Sequence, residues 1–254
     1  MPKPIQSIER AATILRLLSG RRRVGVVDLA GEMGLPKGTV HGILQTLRDV
    51  GFVEQDPESG KYQLGPTLLH MGSSYLDGNE LRTRALNWSD ALAARANESV
   101  RIGTLHEGHV LIVHHVFRPD DTAQALDVGT LRPIHATAMG KVLLASHEYL
   151  LPELVRAGLT AFTPNTITER RRLADALAAV REQGFAYTVS ELMRGEASIA
   201  APIEDRRGAT VGAMSISGPV GRLCTTRKRP RAELVGCVRE GARAVSRELG
   251  AIPW

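Results

Sequence analysis

From Val26 to Gly65 the chain reads VVDLAGEMGLPKGTVHGILQTLRDVGFVEQDPESGKYQLG, and this stretch leaves few folds open. Val26, Leu29, Ala30 and Met33 recur at helical spacing and stop at Gly34. A second helix is expected to begin at Leu35-Pro36, because proline suits the first helical position, where its missing N–H costs nothing. Val40, Ile43, Leu44 and Leu47 then fall at i, i+3, i+4 and i+7, one buried stripe that ends before Gly51. Phe52-Val53 and Tyr62-Gln63-Leu64 flank Asp56-Pro57-Glu58-Ser59-Gly60, a turn-rich tip between two short strands. Helix, tight turn, helix and hairpin make a winged helix-turn-helix, which presents its second helix to a DNA major groove.

Charge placement agrees with that reading. Residues 1–48 hold eight Lys or Arg against three acids, an excess equal to the net +5 of all 254 residues. A polyanion is the natural partner of such a segment, since phosphate neutralisation supplies most non-specific DNA affinity. No apolar run approaches the ~20 residues that span a bilayer, and the charged N-terminus MPKPIQSIERAATILRLL is no signal peptide. Cys224 and Cys237 match no metal spacing and read as two unpaired thiols of a cytoplasmic protein.

Along the chain, Ser7 is expected to cap a first helix running to about Leu18, with Ile8, Ala11, Ala12, Leu15 and Leu18 as its buried stripe. Arg21-Arg22-Arg23 is a loop. A connecting helix spans Pro66 to Leu76, broken at Asp77-Gly78-Asn79, and another runs from Glu80 to about Ala96. Strands follow at Val100–Leu105 and Val110–Val116, with a further candidate at Leu126-Asp127-Val128. Thr137 to Ser146 reads as a helix, as do Thr168 to Gln183 and Arg231 to Leu249. Ala186–Val189, Ser198–Ile203 and Val211–Ser217 read as strands. The whole is α+β: residues 1–65 a winged helix-turn-helix, 66–78 a linker helix, 79–254 a second domain with strands in a meander and helices around them.

The blocks SIERAATILRLL, GLPKGTVHGILQTLRDVGFVEQD, KYQLGPTLLHMGSSYL, PIHATAMGKVLLA, EQGFAYTVSEL and IAAPI followed by SISGP resemble the IclR family of bacterial transcriptional regulators, in order and over nearly the whole chain. The resemblance implies a DNA-binding domain, a GAF-like effector-binding domain, and homodimers often assembled into homotetramers. HEGHVLIVHHVFRPDD and SIAAPIEDRR resemble the actinomycete branch that governs glycerol catabolism. That implies a repressor of a catabolic operon, with glycerol 3-phosphate as the leading small anionic effector.

Candidate site residues follow from both lines of reasoning. On the second helix the outward rail is Gly38, Gly42, Gln45 and Asp49, with His41 beside it. Each outward glycine costs ~1 kcal/mol relative to alanine, so close approach of the backbone to the groove is the functional reading. A relaxed, mutation-tolerant face is the alternative. The family often has Ser at the position of Gly38 and Arg at that of Gly42, and the missing Arg removes the usual guanine reader. Lys37, Thr39, His41 and Gln45 are the expected DNA contacts, while Arg21, Arg22, Arg23 and Lys61 are expected on phosphates.

In the second domain, Ile134 to Lys141 opens a helix with small residues, a natural seat for a carboxylate or phosphate at its N–H groups. Ser215 and Ser217 alternate with Met214 and Ile216, so both hydroxyls share one face. With the family's pocket carried over, the expected effector wall is His135, Ala138, Met139, Gly140, Thr188, Glu191, Ser198, Ser215 and Ser217. His106, His109, His114, His115 and His135 cluster in sequence. Adjacent strand positions point to opposite faces, however, and no Cys or carboxylate pair completes a metal set. The run Arg227-Lys228-Arg229-Pro230-Arg231 reads as a solvated loop. No cofactor or metal is expected. The alternative function, an enzyme of small anionic metabolites fused to a DNA-binding module, finds no nucleophile elbow, phosphate loop or zinc-protease motif.

Overall fold

The computed structural model describes residues 4–120 and 122–251, which leaves Lys3 outside. It divides into two compact units, Met1–Gly78 and Asn79–Trp254.

The first unit runs α1 (Gln6–Ser19), α2 (Val26–Met33), α3 (Lys37–Asp49), β1 (Val53–Gln55), β2 (Tyr62–Leu64) and α4 (Pro66–Asp77). Ile14 and Leu18 of α1, Leu29 of α2, and Val40, Leu44 and Leu47 of α3 bury their side chains together with Val53 and Tyr62. The buried positions of α2 and α3 are ones expected from helical spacing, but α1 differs: Ile14, outside the expected stripe, is fully buried, while Ile8, expected inside, stands exposed. Removal of these side chains from water stabilises the unit. α2 stops at Gly34, whose φ of +61° is the left-handed conformation that glycine adopts without strain. β1 and β2 pair antiparallel, with Glu54 opposite Gln63. A bridge between Val24 and Tyr62 ties the hairpin to the chain before α2.

Two starts differ from expectation. Ser7 is not a cap: α1 begins at Gln6, and the Ile5 carbonyl accepts from the Ile8 and Glu9 N–H groups at 3.0 and 3.2 Å. Pro36 is not the first helical residue of α3 but its cap. Its extended backbone (ψ 137°) puts its carbonyl where the Thr39 and Val40 N–H groups reach it.

The second unit runs α5 (Glu80–Ala96), β3 (Ser99–His106), β4 (His109–Val116), β5 (Leu131–Pro133), α6 (Ala138–Ser146), α7 (Leu151–Ala157), α8 (Arg170–Gln183), β6 (Ala186–Val189), β7 (Glu196–Glu204), β8 (Thr210–Pro219), α9 (Val220–Leu223) and α10 (Ala232–Glu248). The six strands form one antiparallel sheet in the order β5-β4-β3-β8-β7-β6. Alternation along β8 shows how the faces are used. A Cβ on Gly212 would meet Leu81 of α5, and Met214 lies against Gly241 of α10. Ala213 joins the core made with α6 and α8. Ser215 and Ser217, in phase with Ala213, therefore belong to the α6 face.

Leu126-Asp127-Val128 is not a strand. The Asp127 N–H donates to His115 Nδ1 at 3.2 Å and its carbonyl accepts from the Thr130 N–H at 3.0 Å, so the chain turns there. The edge strand begins three residues after Val128, at β5. No helix of the described residues is long and apolar enough to cross a membrane.

Candidate nucleic-acid interface and effector cavity

α3 turns Lys37, Gly38, His41 and Gly42 to solvent and leaves Thr39 and Gln45 half-buried. A Cβ built on Gly38 or Gly42 meets no atom within 4 Å, so this face is open and carries little side chain. Gln45 is not idle. Its amide oxygen accepts from Arg48 at 2.7 Å and its amide nitrogen donates to Asp49 at 3.0 Å. To read a base it must exchange these bonds for new ones.

The three loop arginines have separate fates. Arg21 pairs with Glu32. Arg23 reaches Asp56 of the wing at 2.5 Å and Gln63 at 3.4 Å. Arg22 is exposed and has no ion pair among the described residues. Asp56 organises the hairpin tip by accepting from the Ser59 and Glu58 N–H groups at 2.8 and 3.1 Å. The Ser59 N–H in particular holds its carboxyl below the ordinary range. Lys61, just after that turn, stands exposed. Of the four expected phosphate contacts, Arg22 and Lys61 thus have no ion pair among the described residues, whereas Arg21 is paired with Glu32 and Arg23 braces the wing.

In the second unit a cavity of about 290 Å3 opens between the sheet and the start of α6. Ala138, Met139, Thr188, Glu191, Ser198, Ser215 and Ser217 line it. His135 and Gly140 lie outside the wall. The His135 ring turns toward the segment before α8, with Nε2 3.0 Å from the Thr160 carbonyl and the ring against Phe162. Gly140 packs against the chain itself, since a Cβ there would sit 2.0 Å from the Ile134 carbonyl oxygen. Its N–H is also spoken for, donating at 3.1 Å to the Thr137 hydroxyl that caps α6. The Ala138 and Met139 N–H groups keep no backbone acceptor among the described residues, as the first positions of a helix do.

Sequence reasoning missed the charged residues of this wall: Arg101 on β3, Arg132 on β5, Asp127 between β4 and β5, and Glu196 on β7. The available signal was Arg101, a charge at every-second-residue spacing from Ser99 inside an apolar strand. Arg101 Nε lies 2.6 Å from one Asp127 oxygen and Arg132 Nη2 lies 2.7 Å from the other. Burial works to raise the Asp127 carboxyl, but the two guanidiniums outweigh it and hold it below its usual range. Burial pushes Glu196 up, against the same two cations.

Behind the wall, Lys141 Nζ meets Glu191 Oε1 at 2.6 Å, both groups almost fully buried. Burial lowers the lysine and raises the carboxyl, while each partner opposes the other's shift. Among the described residues, Glu191 Oε2 has no hydrogen-bond partner. A buried acceptor in that condition costs ~1–3 kcal/mol until something donates to it. No group of three or more His, Cys, Asp or Glu among the described residues is arranged to hold a metal.

Two family models account for the chain. Residues 7–57 match the IclR helix-turn-helix domain, and residues 73–247 match the bacterial transcriptional regulator IclR C-terminal domain. Two relatives are each called glycerol operon regulatory protein. That of Streptomyces coelicolor is 54% identical over 99% of both chains, and that of Streptomyces griseus 50% identical over the same share. Among solved structures, an IclR transcriptional regulator from Alicyclobacillus acidocaldarius superposes with a TM-score of 0.83 at 28% identity, over 96% of this chain and 99% of that one.

Proposed function

The chain belongs to the IclR family of bacterial transcriptional regulators, and from that premise we propose that it represses a glycerol-catabolic operon and is released by glycerol 3-phosphate. It is a DNA-binding regulator with a winged helix-turn-helix and a separate effector-binding domain. The operon rests on one observation, the identity of 54% and 50% over 99% of both chains to the two glycerol operon regulatory proteins.

The effector reading is supported by the cavity's chemistry. Thr188, Ser198, Ser215 and Ser217 offer hydroxyls, and Glu191 Oε2 needs a donor such as an alcohol. Arg101, Arg132 and the first N–H groups of α6 favour an anion. A phosphorylated polyol has both features, and about 290 Å3 suits a ligand of that size. In this reading Lys37, Thr39, His41 and Gln45 contact bases, Gly38 and Gly42 permit close approach, and Arg22, Arg23 and Lys61 hold phosphates. The working form is a homodimer or homotetramer on double-stranded operator DNA in the cytoplasm.

The test is fluorescence anisotropy of the full chain on duplexes from promoters of glycerol-catabolic genes, with and without glycerol 3-phosphate. One duplex should bind tightly, and millimolar glycerol 3-phosphate should weaken it at least ~10-fold, a shift of ~1.4 kcal/mol. A dimer covering ~6–10 phosphates should lose ~10³–10⁵ in affinity between 50 and 200 mM salt. Tight binding that neither glycerol nor glycerol 3-phosphate alters would defeat the effector reading. Failure on every such promoter would defeat the operon.

A further inference from the structure

We propose that Arg101 and Arg132 are the anion seat of the effector cavity and that Asp127 is a built-in competitor for it, which sets how strongly an anionic effector binds. The inference rests on the effector reading above and names the residues that would carry it.

Among the described residues that line the cavity, the cations are Arg101 and Arg132, while Lys141 is committed to Glu191 behind the wall. The two arginines come from different strands, β3 and the edge strand β5, and converge on one carboxylate. Each takes a different oxygen of Asp127 through a single nitrogen. Arg101 spends Nη1 on the hydroxyls of Ser99 and Ser217. Its Nη2, and Nε and Nη1 of Arg132, take no acceptor among the described residues.

Two guanidiniums therefore share one negative charge and keep donors to spare. Glu196 offsets the remaining positive charge only when ionised, and burial in this partly desolvated wall, where charges act more strongly than in water, favours its neutral form. The unspent donors are single N–H groups on two guanidiniums, each able to make a charge-assisted bond to a carboxylate or phosphate oxygen.

Asp127 enters with the opposite sign. Its side chain is nearly buried and stands on the same guanidinium groups an incoming anion would use. Effector and Asp127 would repel each other while dividing the same donors. The second carboxylate near this group, Glu196, adds to the repulsion when ionised. A chain with Asn at position 127 keeps the shape and one acceptor oxygen but removes the charge. It should hold an anion more tightly than the natural chain does. A purely structural role for Asp127 predicts the reverse, because loosened arginines would bind everything less well.

Isothermal titration of the full chain with glycerol 3-phosphate and, separately, with glycerol separates these cases. Arg101→Gln and Arg132→Gln should each weaken glycerol 3-phosphate at least ~10-fold and leave glycerol within twofold. Asp127→Asn should tighten glycerol 3-phosphate by ~10-fold and leave glycerol unchanged. If the natural chain binds glycerol 3-phosphate and the arginine variants match it, or Asp127→Asn binds it no better, this inference is overturned and the effector reading stands. If the natural chain binds neither glycerol 3-phosphate nor inorganic phosphate, the anionic effector and its seat fall together. Should Asp127→Asn melt below the assay temperature, Arg132→Gln on the edge strand still decides: equal loss of both ligands, or of neither, overturns the seat.

Discussion

Gly42→Leu separates folding from recognition on α3. In the folded protein a Cβ at position 42 has no neighbour within 4 Å beyond its own helix backbone, so the exposed position has room for a side chain to begin. The residue lies inside a helix that runs from Lys37 to Asp49. Replacing glycine there recovers ~1 kcal/mol of helix propensity. For a unit of this size that is a rise of ~4–8 °C in melting temperature.

On DNA the expected sign reverses. A leucine on the open rail would hold the helix away from the groove and deprive His41 and Gln45 of base contacts worth ~1–3 kcal/mol each. Gln45 belongs at the lower end of that range, because it must first give up Arg48 and Asp49. Even so, losing both contacts exceeds the ~1.4 kcal/mol of a tenfold change. Calorimetric melting, with anisotropy on the operator and on a random duplex, should show a higher melting temperature and operator affinity at least ~10-fold weaker. Random-duplex affinity should barely change, since the phosphate contacts are untouched. Higher melting with undiminished operator affinity would mean this face is merely solvent-exposed, and the placement of His41 and Gln45 at the bases would go with it.

Three further outcomes can be checked by urea or thermal unfolding. Gly140→Val should destabilise the second unit by several kcal/mol rather than simply obstruct a ligand, because the new Cβ would sit 2.0 Å from a backbone oxygen; unchanged melting would contradict the packing described. Lys141→Met should cost ~3–5 kcal/mol by stranding Glu191 in the interior, and adding Glu191→Leu should restore much of it; a single variant as stable as the parent would show that the pair is not coupled. Burial, with Arg101 adding to it, pushes His115 down to about 4, whereas the unfolded chain titrates near ~6.5. The unfolded state therefore binds the extra proton between these values, so stability is complete above ~6.5 and declines by up to ~3 kcal/mol as pH falls toward 4. His115→Gln should flatten that decline between pH 7 and 5, and equal slopes in both proteins would refute the assignment.

Local pattern determined a great deal here. α2, α3 and the hairpin are legible because their apolar residues repeat at the period of the element they form, and Gly34 stops α2 for a conformational reason that acts within one turn. The shared face of Ser215 and Ser217 follows from strand alternation alone. Helix starts were less legible: whether Pro36 or Lys37 opens α3 depends on which carbonyl the first N–H groups find.

What tertiary structure decided is the content of the cavity. His135 and Gly140 sit beside Ala138 and Met139 in sequence, yet one ring turns to Thr160 and the glycine packs on Ile134. Neither direction is written in a helix-start motif. Arg101, Asp127 and Arg132 come from one strand, a turn and a second strand, and nothing in their spacing announces that two cations meet one carboxylate. Sequence periodicity reports which face of an element leaves water, because that is a property of one segment. Which charges meet within 3 Å is a property of how separate segments pack, and only the folded sheet brings these together.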